Sequence, residues 1–297
     1  MAAERTRLSK REILEREERW ARPVALTAIA VAVLFIVAAI LSAGAISDAD
    51  DSSAFLEEFE ATRQTQLIVS ILQAIGLALL AIPLLFLFQA AAARSDRMRN
   101  AFVGITVAGP LFLAAAFIAR WVAFDGASMD FVMGAGDPEV TPDDRADDLI
   151  EAQSAFSVTQ GLQFAGSLGV VFGVGYTSLY SMRVGLLSRF FGTLGIVLGV
   201  SVLFLGTALG IVLFVVLVGM MIGGFWPRAR PPAWDAGEAM PWPKGGGAPS
   251  REPPPAEEEP GLPEGFGEPL EPDGDEHAEL EPGEDSAEGP RKRKRRR

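Results

Sequence analysis

Inside the apolar stretches of this chain the polar side chains are amides and hydroxyls, so the chemistry open to them is hydrogen bonding. Gln66 and Gln73 stand seven apart, which puts both on one face of a helix. Gln153, Gln160 and Gln163 share a similar face of a later stretch, with Tyr176, Thr177, Ser178 and Tyr180 toward its other end. Such groups bond neighbouring helices, at about 0.6–2 kcal/mol each. A sharper expectation is a polar pocket, formed by Gln66, Gln73, Gln160 and Gln163, that binds or carries a small molecule.

Other chemistries lose their residues. There is no cysteine, which removes thiolate nucleophiles, disulfides and cysteine-held metals. The single histidine, His277, lies in an acidic run. No Asp, Glu, Lys, Arg or His occupies the interior of an apolar stretch, where ion-coupled carriers keep such groups. Asp137, Glu139, Asp143, Asp144, Asp147 and Asp148 are acidic but lack the ligand spacing and glycine of an EF-hand. Helix capping and solvation account for them better. No catalytic residue, metal or cofactor is expected.

The elements that must position the glutamines are membrane spans. A 30 Å hydrocarbon core takes about 20 helical residues. Runs at about 24–46, 66–93, 101–122 and 156–181 satisfy that length. The first could be a signal peptide, since Ala43-Gly44-Ala45 has the form of a cleavage site, but the run far exceeds a signal's apolar core of about 7–15 residues. Residues 190–226 carry no charge; one helix of that length would reach about 55 Å, so two shorter spans at about 189–206 and 209–226 fit better. Ahead of the spans, Ser9 and Glu12 form a capping box that opens a polar helix within residues 1–22, and Pro23 marks its junction with the membrane. Thr141, Pro142, Asp143 and Asp144 start another helix, expected to run straight into the fourth span. The fold class is an all-α integral membrane bundle of six spans over residues 23–226, with a disordered tail over 227–297.

Charge sets the orientation. With six spans, the segments on one side hold fourteen Lys or Arg and those on the other hold three: Arg63, Arg120 and Arg145. Positive charge stays inside, so both termini are expected in the cytoplasm of a bacterial cell, with the bundle in its plasma membrane.

Residues 252–288 contain fifteen Asp or Glu and no Lys or Arg, and the chain then ends on Arg291, Lys292, Arg293, Lys294, Arg295, Arg296 and Arg297. Blocks of charge with few aliphatics cannot bury enough surface to order themselves. The basic run is a candidate contact for anionic lipid headgroups, at about 1 kcal/mol per residue near the surface. Nucleic acid is a weaker partner, because acids crowd the site and no aromatics interleave. Trp234 and Trp242 are expected at the headgroup level. Glycines four apart (169/173, 195/199, 206/210 and 219/223) let helices approach closely, within the bundle or in a homo-oligomer. Gln73-Ala74-Ile75-Gly76 echoes Gln163-Phe164-Ala165-Gly166, which suggests two matched helical hairpins.

Met182-Arg183-Val184-Gly185-Leu186-Leu187-Ser188-Arg189-Phe190, then Gly195-Ile196-Val197-Leu198-Gly199, lead to a distinctive exit: Trp226-Pro227, Pro231-Pro232-Ala233-Trp234, Gly237-Glu238-Ala239 and Pro241-Trp242-Pro243. Over roughly residues 20–243 the chain resembles an uncharacterised multi-span membrane protein family, a domain of unknown function, of high-GC Gram-positive bacteria. That resemblance implies a multi-span domain and brings no catalytic residues. The expected function is a non-enzymatic scaffold or accessory protein whose tail contacts lipid or a membrane protein partner. A small-molecule binding or transport protein using the glutamine-lined pocket is the alternative.

Overall fold

The computed structural model describes residues 9–43, 51–137, 139–205, 208–225 and 230–240. Among them every regular element is helical: α1 (Lys10–Ala43), α2 (Ser52–Ala61), α3 (Arg63–Arg94), α4 (Ala101–Val132), α5 (Pro142–Ala152), α6 (Ser154–Arg183), α7 (Arg189–Leu205), α8 (Leu209–Ile222) and α9 (Ala233–Ala236). Four of these, α1, α3, α4 and α6, are long and apolar enough to cross a membrane. At 30–34 residues they measure about 45–51 Å, so each outruns the hydrocarbon core. The shorter α7 and α8, of 17 and 14 residues, are apolar apart from Arg189, Thr193 and Ser201 of α7.

Each long helix lies against the next, α1 on α3, α3 on α4, α4 on α6, α6 on α7 and α7 on α8; α8 then returns to α1 and closes a ring. One apolar core runs through it, with Leu77, Leu84, Phe88, Val170, Val174, Phe214 and Val218 among its buried members. Glycines set the close approaches. A Cβ on Gly109 would stand 2.6 Å from the backbone of Gly169 and Val170, and one on Gly173 2.8 Å from that of Thr106, so α4 and α6 touch backbone to backbone. Gly195 meets Ser178 and Phe214, while Gly219 and Gly223 meet Ala28 and Ala25. The glycine pairs at 169/173, 195/199 and 219/223 therefore serve packing within the bundle. Gly206 lies outside the described residues.

The helices sort their charged ends. One end, here the basic end, gathers the start of α1, the 95–100 and 184–188 loops and residues 230–240. The opposite, acidic end carries α2 and α5, which cap α4 through a small cluster of Leu56, Ala127, Phe131 and Ala146.

Three elements differ from the sequence reading. The polar leader and the first span are one helix, since α1 runs through Pro23. Its first turn is closed by the expected capping box: the Ser9 backbone N–H donates to Glu12 at 2.7 Å, and the Glu12 N–H donates to the Ser9 hydroxyl at 3.3 Å. The helix that starts at Thr141 does not continue into α6. Gln153 is extended (φ −69, ψ 117) and turns the chain between them, and its amide donates to Asp130 at 3.1 Å. The helix of the third span does not stop near 122 but continues to Val132, because Phe124, Ala127 and Phe131 pack under α2 and α5. The proposed matched hairpins are also unequal, since α4 has 32 residues and its counterpart α7 has 17.

Candidate functional site

The glutamines fall into two groups. Gln160 and Gln163 line a cavity of about 230 Å³ between α4 and α6 near the acidic end, together with Arg120, Thr159, Phe117 and Phe156. Gln66 and Gln73 do not line it. At that end α4 stands between α3 and α6: Arg63 of α3 makes a bidentate ion pair with Asp125 of α4, with one contact at 2.8 Å. Gln66 is buried on α3 with its amide nitrogen unpartnered among the described residues. Arg120 lines the cavity from α4. Its guanidinium lies 5.3 Å from the Phe124 ring centroid, and no carboxylate pairs with it among the described residues. The cavity therefore offers a cation, two carboxamides and apolar walls.

The acids at the same end are engaged. Asp143 accepts from the Ser53 hydroxyl at 2.6 Å and from the Ser53 backbone N–H at 3.0 Å, while Asp147 accepts from the Ser52 hydroxyl at 2.6 Å. The Ser53 hydroxyl first, then its N–H, hold the Asp143 carboxyl below its ordinary value. These bonds fasten α5 to α2. Thr141 caps α5 as expected, accepting from the Asp144 N–H at 3.2 Å.

The basic end carries an arrangement that spacing did not reveal. Arg94, at the close of α3, and Glu17, on α1, form a bidentate ion pair with side chains 0% and 2% exposed, one contact being 2.9 Å. The same guanidinium donates to the Ala233 carbonyl at 3.0 Å. It lies 5.8 Å from the centroid of Trp234, which in turn stacks on Phe86 at 6.1 Å. The Trp234 indole N–H donates to the Leu186 carbonyl at 2.9 Å. Trp234 is thus buried against the bundle, 1% exposed. Met240 closes the latch by donating its N–H to the Val184 carbonyl at 3.0 Å. Gly185 permits this approach: its φ is +81, and a Cβ there would lie 2.0 Å from the Met240 oxygen.

Residues 230–240, expected to belong to the tail, are therefore folded onto the bundle. The physical reason is a buried tryptophan and a buried cation held by the Glu17 carboxylate and the Ala90 and Ala233 carbonyls, which together offset the ordering of a short segment. The exit motif Pro231-Pro232-Ala233-Trp234 was legible as unusual, but its partners, the Arg94 guanidinium on α3 and the Leu186 carbonyl in the 184–188 loop, were not. Arg291, Lys292, Arg293, Lys294, Arg295, Arg296 and Arg297 lie outside the described residues, as does Trp242.

Among the described residues no group of three or more potential ligands could hold a metal ion. The chain matches no family model, no curated protein and no solved structure, and its class rests on its four long apolar helices, which make it a helical membrane protein.

Proposed function

We propose that the chain is a non-enzymatic scaffold or accessory protein of the bacterial plasma membrane. In this reading α1, α3, α4, α6, α7 and α8 all cross the bilayer, both termini are cytoplasmic, and the segment beyond residue 240 contacts partners or anionic lipid. The observation that carries it is the latch: Glu17, Arg94 and Trp234 fix the exit segment to the basic end of the bundle. A tail that leaves from a fixed point beside α1 can be presented to a partner at a set place. Arg94, Arg97, Arg99, Arg183 and Arg189 cluster at that end, as the positive-inside rule requires of a cytoplasmic face. The family resemblance noted from the exit motif agrees with this reading.

The experiment is affinity capture from membranes with the full chain and with a chain ending at residue 240. Shortening should remove partners while the latch and the bundle stay folded. An unchanged partner set would overturn the scaffold reading. Phosphatase fusions at the C-terminus should be inactive, and an active fusion would sink the six-crossing arrangement.

Small-molecule binding is the second reading, favoured by Arg120 facing Gln160 and Gln163 without a carboxylate partner. It predicts that a small carboxylate raises the unfolding temperature of the purified chain, and that Arg120→Leu with Gln163→Leu abolishes the rise.

A further inference from the structure

A groove of about 260 Å³ runs between α1 and α3 where they leave the apolar zone at the basic end. Its two halves differ in chemistry. Arg16 and Gln89 stand at the outer half; Val24, Ile82 and Leu85 line the half that reaches into the span, with Trp20 beside them. The direction follows from the chain. α1 enters the apolar zone from residue 16 toward 24, and α3 leaves it from 82 toward 89. Trp20 and Ile82 are 52% and 42% exposed, so the groove opens on the outer surface of the ring.

One terminal nitrogen of Arg16, Nη2, is sealed from solvent and has no hydrogen-bond partner among the described residues. A buried donor left unpaired is costly, and more so when it carries charge. The adjacent Glu17 does not serve it; both its oxygens are turned to Arg94. The site therefore lacks an acceptor, best an anionic one, at the level of the bilayer where headgroups lie.

We propose that this groove binds one anionic phospholipid from the leaflet at the basic end. Its phosphate sits on the guanidinium of Arg16 and the amide of Gln89, and one acyl chain lies along Val24, Ile82 and Leu85. Charge complementarity selects this occupant. A neutral lipid brings less charge to Arg16, and a free anion would leave the apolar half empty. Trp20, an interfacial residue by type, marks the depth. Glu17 and Phe86 also line the groove. They are the residues that hold Arg94 and stack on Trp234, so the lipid site and the latch share a wall.

The test uses the full chain in nanodiscs of phosphatidylcholine with a minor fraction of phosphatidylglycerol. Lipids retained after transfer to detergent are identified by native mass spectrometry. High salt during transfer screens contacts made by the terminal basic run. The wild type should retain one phosphatidylglycerol in preference to phosphatidylcholine. Arg16→Ala should lower that preference about tenfold, the loss of a charge-assisted hydrogen bond. Leu85→Trp keeps Arg16 but fills the apolar half, and should lower retention of the lipid as a whole. It decides the matter if Arg16→Ala does not fold. Unchanged retention in a folded variant, or equal retention of phosphatidylcholine by the wild type, would overturn the proposal. Stabilisation of the lipid-free chain by inorganic phosphate, lost in Arg16→Ala, would also overturn it in favour of a free anion.

Discussion

Glu17 and Arg94, 77 residues apart in the chain, form a bidentate ion pair in which both side chains are shut off from solvent. Removing one partner leaves a buried charge alone, at about 3–5 kcal/mol. Glu17→Ala and Arg94→Ala should each destabilise the bundle by that order. Glu17→Ala combined with Arg94→Leu should cost less than the two losses together. Thermal unfolding in detergent measures this; single variants within about 0.5 kcal/mol of wild type would contradict a buried pair.

Trp234 should decide whether the exit segment stays docked. Trp234→Ala removes the ring that stacks on Phe86 and the donor to Leu186. Loss of a buried aromatic costs about 3–5 kcal/mol, enough to release a short segment while the helices persist. Limited proteolysis should then cut within residues 230–240, which the wild type protects. Trp234→Phe keeps the stacking but not the hydrogen bond and should fall between the two.

The α4–α6 contact allows a paired comparison of two glycines on one helix. A side chain on Gly109 would overlap the backbone of α6, whereas a Cβ on Gly104 meets nothing within 4 Å. Gly109→Val should destabilise by about 1–3 kcal/mol or more through forced separation of the helices. Gly104→Val should change stability far less, and equal effects at both sites would refute the close packing.

Acid should loosen the cap at the acidic end. The Asp143 carboxyl is held below its ordinary value near 3.8 by bonds from Ser53. A carboxyl whose value is lowered on folding contributes stability that is present above the ordinary value. That stability is lost as pH falls below 3.8 and through the folded value. Hydrogen exchange of α2 amides should therefore speed up over that window. In Ser53→Ala the acid-dependent part should shrink, and an unchanged pH profile would count against the Asp143 link.

The sequence by itself determined that apolar helices build this protein, and where most of them lie. Runs of about 20 uncharged residues have few other uses, and the Ser9–Glu12 box and the Thr141 cap are local signals that the structure repeats. Hydropathy also separated 190–226 into α7 and α8, because length alone ruled out one helix. Charge placement grouped the basic segments at one end. The tertiary structure alone decided the partners. Gln160 and Gln163 share a cavity with Arg120 while Gln66 and Gln73 do not, because the cavity lies between α4 and α6 and spacing does not say which helices enclose a cavity. Composition put residues 230–240 in the tail; the fold put them on the bundle, where Arg94, held by Glu17, and the Leu186 carbonyl engage Ala233 and Trp234. Periodicity reports which face of a helix is apolar. It carries no information about which distant carboxylate or carbonyl a buried cation will meet, since that depends on the order in which helices close the ring.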